Sequence, residues 1–326
     1  MTCPATEPAP GTVTERVEGF IVMRRGLGYR SPVQERALRA FGRHLDQGGH
    51  GGGPIPLESS LDWATATAST DPCNPARRLT IVRCFLRHLS GLDGATEVPE
   101  PKLLGSVGHR KPPHIYSDEE IAGLLHAAAG LAPAAGLRPH CYVTLFGLIA
   151  CTGLRIGEAL ALCCSDVDLD EGVLTVRASK RGRTRLVPLH PSAVTPMADY
   201  ANHRQDRYGR PGKDAAFFRT DRSDHISHSA AHHTFDVLRN QLGWTANGRT
   251  RAPRIHDLRH RMVVRRIQTW HARNVDVDAN ISVLATYMGH VEVRDLYWYF
   301  SAVPELMSLV SERFEAFTTN TPGGLQ

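Results

Sequence analysis

Apolar residues recur every three or four positions along much of this chain. Val33, Ala37, Leu38, Phe41 and Leu45 form one such stripe before the glycine-rich break 48–53, and Leu79, Val82, Phe85, Leu86 and Leu89 form another that runs to Gly91. A period near 3.6 is that of a helix with one buried face. Strand-like alternation is absent, so residues 14–95 are predicted to be a small all-helical domain. Residues 1–13, rich in Pro, Thr and Ala, are expected to lack structure. Pro99, Pro101, Gly105, Gly108, Pro112 and Pro113 mark 96–114 as a linker.

A second domain is predicted over 115–318, followed by a short tail at 319–326. Ser117 and Glu120 form a capping-box signature for a helix through Ile121, Leu124 and Leu125. Tyr142 to Ala150 reads as a buried helix, interrupted at Thr152-Gly153 and resumed over Leu154 to Leu162. Three short strands are predicted next, at 167–169, 173–178 and 184–188, with Asp170-Glu171-Gly172 and Arg181-Gly182 as their turns. From about Ser192 the pattern is helical again, including 257–270 with Leu258, Met262, Val263, Ile267 and Trp270 on one face. The expected fold is mainly α with a small antiparallel β-sheet in the second domain.

Composition narrows the function. The longest nearly uncharged apolar run, Tyr142 to Leu154, has 13 residues, short of the roughly 20 that a membrane-spanning helix needs. Met1 to Gly11 lacks a basic-then-apolar leader pattern, and seven cysteines without a CxxC pair argue against a disulfide framework or a thiolate zinc site. A cytoplasmic chain with no membrane partner is expected. Its net charge of +5 hides an asymmetry: 177–266 holds 17 Arg and 2 Lys against 7 Asp and no Glu, a net of +12. Of the 38 basic residues 34 are arginine, whose planar fork grips phosphate oxygens in pairs, so nucleic acid is the leading partner. A solvated basic face is the alternative.

Three short motifs carry candidate chemistry. Thr152-Gly153-Leu154-Arg155-Ile156-Gly157-Glu158 puts an arginine at a helix start inside the most apolar stretch, where it needs an anion: a ligand, or Glu158 one turn away. His256-Asp257-Leu258-Arg259-His260 places His256 and Arg259 on one helix face, a spacing that suits one phosphate. Reading His256 and His260 as a zinc pair fails on the arginine between them. Met288-Gly289-His290 ends a helix at a natural C-cap glycine. Tyr299 lies nine residues beyond His290, about 13 to 14 Å away along a straight helix, so joint action requires a bend. Tyr299 sits in the aromatic patch 297–300, where core packing is the alternative and Tyr297 is the rival nucleophile. His225, His228, His232 and His233 lie among Ser, Ala and Arg and read as a helix surface near DNA rather than a metal site. Cys163-Cys164 reads as core packing.

Taken in order, these motifs resemble the tyrosine recombinase (phage integrase) superfamily over nearly the whole chain. The signature is an arginine in T-G-L-R-x-x-E, a β-hairpin lysine, H-x-L-R, then G-H, and a tyrosine nine residues after that histidine; Arg155, Lys180, His256, Arg259, His290 and Tyr299 fill it. The resemblance implies an N-terminal core-binding domain of SAM-like helical fold over 14–95 and a catalytic domain over 115–318. It also implies a site-specific recombinase or integrase of mobile-element type that cleaves and rejoins DNA through a 3′-phosphotyrosine at Tyr299. Arg155 and Arg259 would supply fixed positive charge to the phosphate, Lys180 the proton for the leaving 5′-oxygen, His256 acid/base help and His290 a hydrogen bond. Arg181, Arg183 and Arg185, crowded around Lys180, are expected to contact DNA. No cofactor, ATP or metal enters this scheme. The implied partners are double-stranded DNA, a homotetramer on paired sites joined through the C-terminal helix that begins near Pro304, and accessory recombinases, all in the nucleoid. A type IB topoisomerase, or a DNA-binding regulator with a vestigial site, are the alternatives.

Overall fold

The computed structural model describes residues 11–66, 74–106, 112–177, 184–246 and 251–289, with Leu296 and Leu306. The chain divides into two compact units, 1–110 and 111–326.

The first unit is helical: α1 (Val13–Gly26), α2 (Pro32–Gln47), α3 (Leu57–Thr65) and α4 (Asn74–Asp93). Order begins earlier than the composition suggests, because Thr12 caps α1 in a capping box with Glu15 and the Asp46 carboxylate accepts the Val13 and Thr14 N–H groups at 2.9 and 3.0 Å. Val13 is fully buried, so the expected unstructured stretch 1–13 does not extend to Gly11–Val13. Gly42 lets α1 and α2 meet closely, since a Cβ there would lie 3.1 Å from the Thr14 Cα. Phe20, Phe41, Trp63 and Phe85 form the aromatic centre of this core. The segment read as a linker packs here over its first half: the Glu97 N–H donates to the Ile55 carbonyl at 3.0 Å, Thr96 is buried, and Arg83 holds the Pro99 carbonyl at 2.8 Å.

The second unit contains α5 (Asp118–Ala129), α6 (Leu137–Thr152), α7 (Ile156–Leu160), strands β1 (Val167–Asp168), β2 (Val173–Val176) and β3 (Arg185–Pro188), then α8 (Pro191–Tyr208), α9 (His228–Gln241), α10 (Ile255–Ala272) and α11 (Val277–Met288). The Ser117–Glu120 capping box opens α5 as its spacing predicts. α6 is buried on nearly all sides, including Tyr142, Leu145, Phe146 and Ile149, which accounts for its uninterrupted apolar run. Gly153 ends it at φ 68°. The helix expected over 154–162 is only the five residues of α7: Arg155 is still extended at φ −68°, ψ 143°, and beyond Leu160 the Leu162 carbonyl accepts the Phe217 N–H at 2.7 Å instead of continuing the helix. The strands form an antiparallel meander in the order β1-β2-β3, with Leu174 opposite Val187. Leu174, Val176 and Val187 face the core while Leu186 is exposed. A smaller apolar cluster joins Met262, Val263 and Ile267 of α10 to Ile281, Leu284 and Met288 of α11, and Leu296 and Leu306 are buried in it.

The fold is mainly α with one small antiparallel sheet. No helix among the described residues is long and apolar enough to cross a membrane.

Candidate active site

Three arginines from three distant parts of the sequence converge on the C-terminal end of α11. Gly289 ends that helix at φ 66°, with its own N–H turned back to the Ala285 and Thr286 carbonyls. The last carbonyls of a helix carry its negative dipole end and lack intrahelical donors, so cations are favoured there. Arg185 Nε donates to the Tyr287 carbonyl at 2.9 Å, Arg259 Nη2 to that of Met288 at 2.6 Å, and Arg155 Nη2 reaches that of Gly289 at 3.4 Å.

Arg259 is 2% exposed. Its Nη1 donates to the Gly153 carbonyl at 2.5 Å, so one guanidinium joins the end of α6 to the end of α11. Gly153 is held to glycine by its φ, and a Cβ there would also press on the Met288 methyl at 2.9 Å.

Glu158 lies among these cations. It accepts from the Arg155 N–H at 3.0 Å and Nη1 at 2.9 Å, and from Arg185 Nη1 at 3.1 Å and Nη2 at 2.8 Å. Burial pushes its carboxyl up, but the Arg185 hydrogen bonds, the Arg155 N–H and the two guanidinium charges outweigh that and bring it down to about 2. The Arg155–Glu158 ion pair left open by the sequence is therefore present, and Glu158 is shared. The Arg155 side chain is 31% exposed and that of Arg185 10%.

Arg185 departs from its expected place. Read as a DNA contact, it is instead turned inward with Nε, Nη1 and Nη2 all bonded to protein, because Gly289 leaves a groove for it: a Cβ on Gly289 would lie 2.7 Å from Arg185 Nη1.

His256 starts α10 beside this cluster, with its residue surface open to solvent. Desolvation by the surrounding protein and the charge of Arg259 push its imidazole down to about 4, against a smaller opposing pull from Asp257. It is neutral at pH 7. Its ring stands edge-on to that of buried His260, 4.7 Å between centroids, and Asp257 is committed to Arg254 at 2.7 Å.

The structure thus brings Arg155, Arg185, His256 and Arg259 together. Lys180, Arg181, Arg183, His290 and Tyr299 lie outside the described residues. In the histidine group, the His228 and His232 rings stand 4.5 Å apart on α9. Among the described residues no three His, Cys, Asp or Glu side chains are placed to hold a metal. Cys164 receives a short hydrogen bond from Arg204, which is 5% exposed. Sequence reading saw Glu158 only as a rival explanation for Arg155 and missed its second arginine, although both residues stand in the motifs it singled out.

The mainly helical fold with its small antiparallel sheet is that of tyrosine recombinase catalytic domains. It is similar to the Tn1549 transposon integrase in complex with transposon right end DNA, with TM-score 0.63 and 15% identity over 93% of this chain and 99% of that one. It is also similar to the lambda integrase tetramer bound to a Holliday junction, with TM-score 0.57 and 15% identity over 83% and 76%. In sequence the chain is 35% identical to a protein described as an integrase/recombinase, y4rB, of Sinorhizobium fredii (strain NBRC 101917 / NGR234), across 93% of this chain and 97% of the relative. Residues 117–305 match the phage integrase family. The chain belongs to that family, and its enzyme class is the tyrosine site-specific recombinases. The topoisomerase and regulator alternatives are not favoured.

Proposed function

We propose that this recombinase cuts one strand of a DNA duplex through Tyr299, holds the broken end as a 3′-phosphotyrosine, and rejoins it to a new 5′-hydroxyl in the integration or excision of a mobile element. The observation that carries the reading is the arginine cluster at the α11 end, one residue before His290. Arg155 and Arg259 offer positive charge to the non-bridging phosphate oxygens as charge builds on them in the transition state. The tyrosine oxygen forms a bond to phosphorus as the bond to the 5′-oxygen breaks, and Lys180 gives that oxygen its proton. His256, neutral at pH 7, is suited to accept a proton from the nucleophile, and His290 donates a hydrogen bond to the phosphate. Bond energy stays in the phosphotyrosine, so the reverse step needs no ATP.

Arg181 and Arg183 are assigned to phosphate contacts. The helical unit and the catalytic unit are both assigned to hold the duplex, in the nucleoid. Assembly is read as a homotetramer on paired sites, with accessory recombinases as further partners. In that assembly the segment beyond Leu306 reaches a neighbour; Leu306 itself is buried in its own chain.

The test is a nicked suicide substrate carrying the element's own end. The expected result is a covalent protein–DNA adduct that resists EDTA and is lost in Tyr299→Phe while DNA binding persists. An adduct that survives Tyr299→Phe and disappears in Tyr297→Phe reassigns the nucleophile.

A further inference from the structure

Arg185 and Arg155 bind the same carboxylate in unequal ways. Arg185 lays both Nη atoms on Glu158, at 3.1 and 2.8 Å, and anchors its Nε on the Tyr287 carbonyl, with only 10% of its side chain exposed. Arg155 gives Glu158 one side-chain bond, at 2.9 Å, its other Nη reaches a carbonyl at 3.4 Å, and its side chain is 31% exposed. One guanidinium is fixed, and the other is held by a single strong bond at the edge of solvent.

The difference matters when a phosphate arrives. A buried carboxylate facing one cation competes with the phosphate for that cation, and weak screening around Glu158, 8% exposed, makes the competition severe. If Arg155 were the sole partner, turning it toward DNA would strand a buried negative charge. With Arg185 forked onto Glu158, the carboxylate keeps a full partner when Arg155 leaves. The same side chain ties β3, the strand that follows Lys180 in sequence, to the α11 carbonyl two residues before Gly289.

We propose that Arg185 is a positioning residue rather than a DNA contact: it occupies Glu158 so that Arg155 is released to the scissile phosphate. This rests on the role given to Arg155 above. The neighbouring charges are Arg155, bonded to Glu158 at 2.9 Å, Arg259, bonded to the Gly153 and Met288 carbonyls, and Glu158 itself.

The test is a double-mutant cycle on the full chain, read by single-turnover adduct formation at saturating suicide substrate, with DNA affinity and its salt slope measured alongside. Arg185→Ala is expected to slow adduct formation about 100-fold, with affinity and salt slope little changed. In a Glu158→Gln background, where there is no anion left to occupy, the same substitution is expected to cost less than about threefold. Arg185→Gln retains N–H donors for Glu158 and the Tyr287 carbonyl without the charge, and it repeats the cycle if the alanine variant does not fold. Arg185→Lys keeps charge but not the fork and should recover part of the rate. Equal losses in both backgrounds, or a loss of affinity with a shallower salt slope, overturn the proposal and make Arg185 a scaffold or a phosphate contact. If the wild-type chain forms no adduct, the reading of the site falls first and the proposal with it.

Discussion

Each unit of the molecule contains a carboxylate held between two arginines, and the two arrangements differ in what remains. In the helical unit Arg25 forks onto Glu35, Arg39 forks onto Glu18 at 2.6 and 3.0 Å, and Arg39 also stands 3.7 Å from Glu35. Two cations meet two anions, and the pairs pin α1 to α2. In the catalytic unit Glu158 meets Arg155 and Arg185 while Arg259 donates to backbone carbonyls. The catalytic unit thus gathers three guanidinium groups at the end of α11. Ion pairs between two helices make a brace, whereas guanidinium groups gathered at helix ends suit the phosphate site proposed above.

Arg259→Ala should give the largest separation of the two. It removes a positive charge from the proposed phosphate site, and adduct formation should fall by about 10² to 10³. Because the Gly153 and Met288 carbonyls lose a buried donor, stability should also fall, by about 1 to 3 kcal/mol per orphaned group, measured by denaturant unfolding. A near-wild-type cleavage rate would show that the charge of Arg259 is not what drives the chemistry.

Next come two glycines with similar backbone angles. Gly289 at φ 66° lies against Arg185, whereas Gly49 at φ 81° in the helical unit has open space around it. Alanine at either position costs about 1 to 2 kcal/mol of left-handed strain. Only Gly289→Ala should also displace Arg185 and slow adduct formation. Equal kinetic effects would mean that the groove at Gly289 does not matter.

A third contrast concerns pH and bears on stability rather than on the reaction. Glu158 sits at about 2 in the folded chain against an ordinary value of 4.5. A depressed carboxyl contributes stability that is complete above 4.5 and lost as pH falls toward 2. This amounts to at most about 3 kcal/mol, read as the difference in acid unfolding between wild type and Glu158→Gln. Glu35 is also lowered, by its hydrogen bond from Arg25 against the opposing effect of burial. Glu35→Gln should therefore weaken acid resistance in the same direction, and it should leave adduct formation unchanged at neutral pH.

Much of this could be read from the chain because the informative residues are close in sequence. The Ser117–Glu120 cap, the Gly153 stop, the i,i+3 pair His256 and Arg259 and the β-meander are each set within a few positions. α1 was harder to see as a separate helix: Val13, Val17, Phe20 and Ile21 are buried, but exposed Val22 and Met23 blur the stripe. α3 buries Ser60, Trp63 and Ala64, which present no apolar run. The inward turn of Arg185 had no local signal at all. It depends on a glycine 104 positions away, which no pattern near Arg185 announces.

The spans joined at the α11 end also set when the site can exist. Arg259 reaches Gly153 across 106 positions, Arg185 reaches Tyr287 across 102, and Arg155 reaches Gly289 across 134, whereas Arg25–Glu35 and Arg39–Glu18 close over 10 and 21. Loop closure over long spans is late and slow, and it gains nothing until the far partner arrives. On the ribosome the helical brace is complete long before the arginine cluster. A nascent chain that has not yet reached Gly289 carries Arg155 beside Glu158 with no helix end to organise it. Competence to attack DNA is thus among the last properties the growing protein acquires.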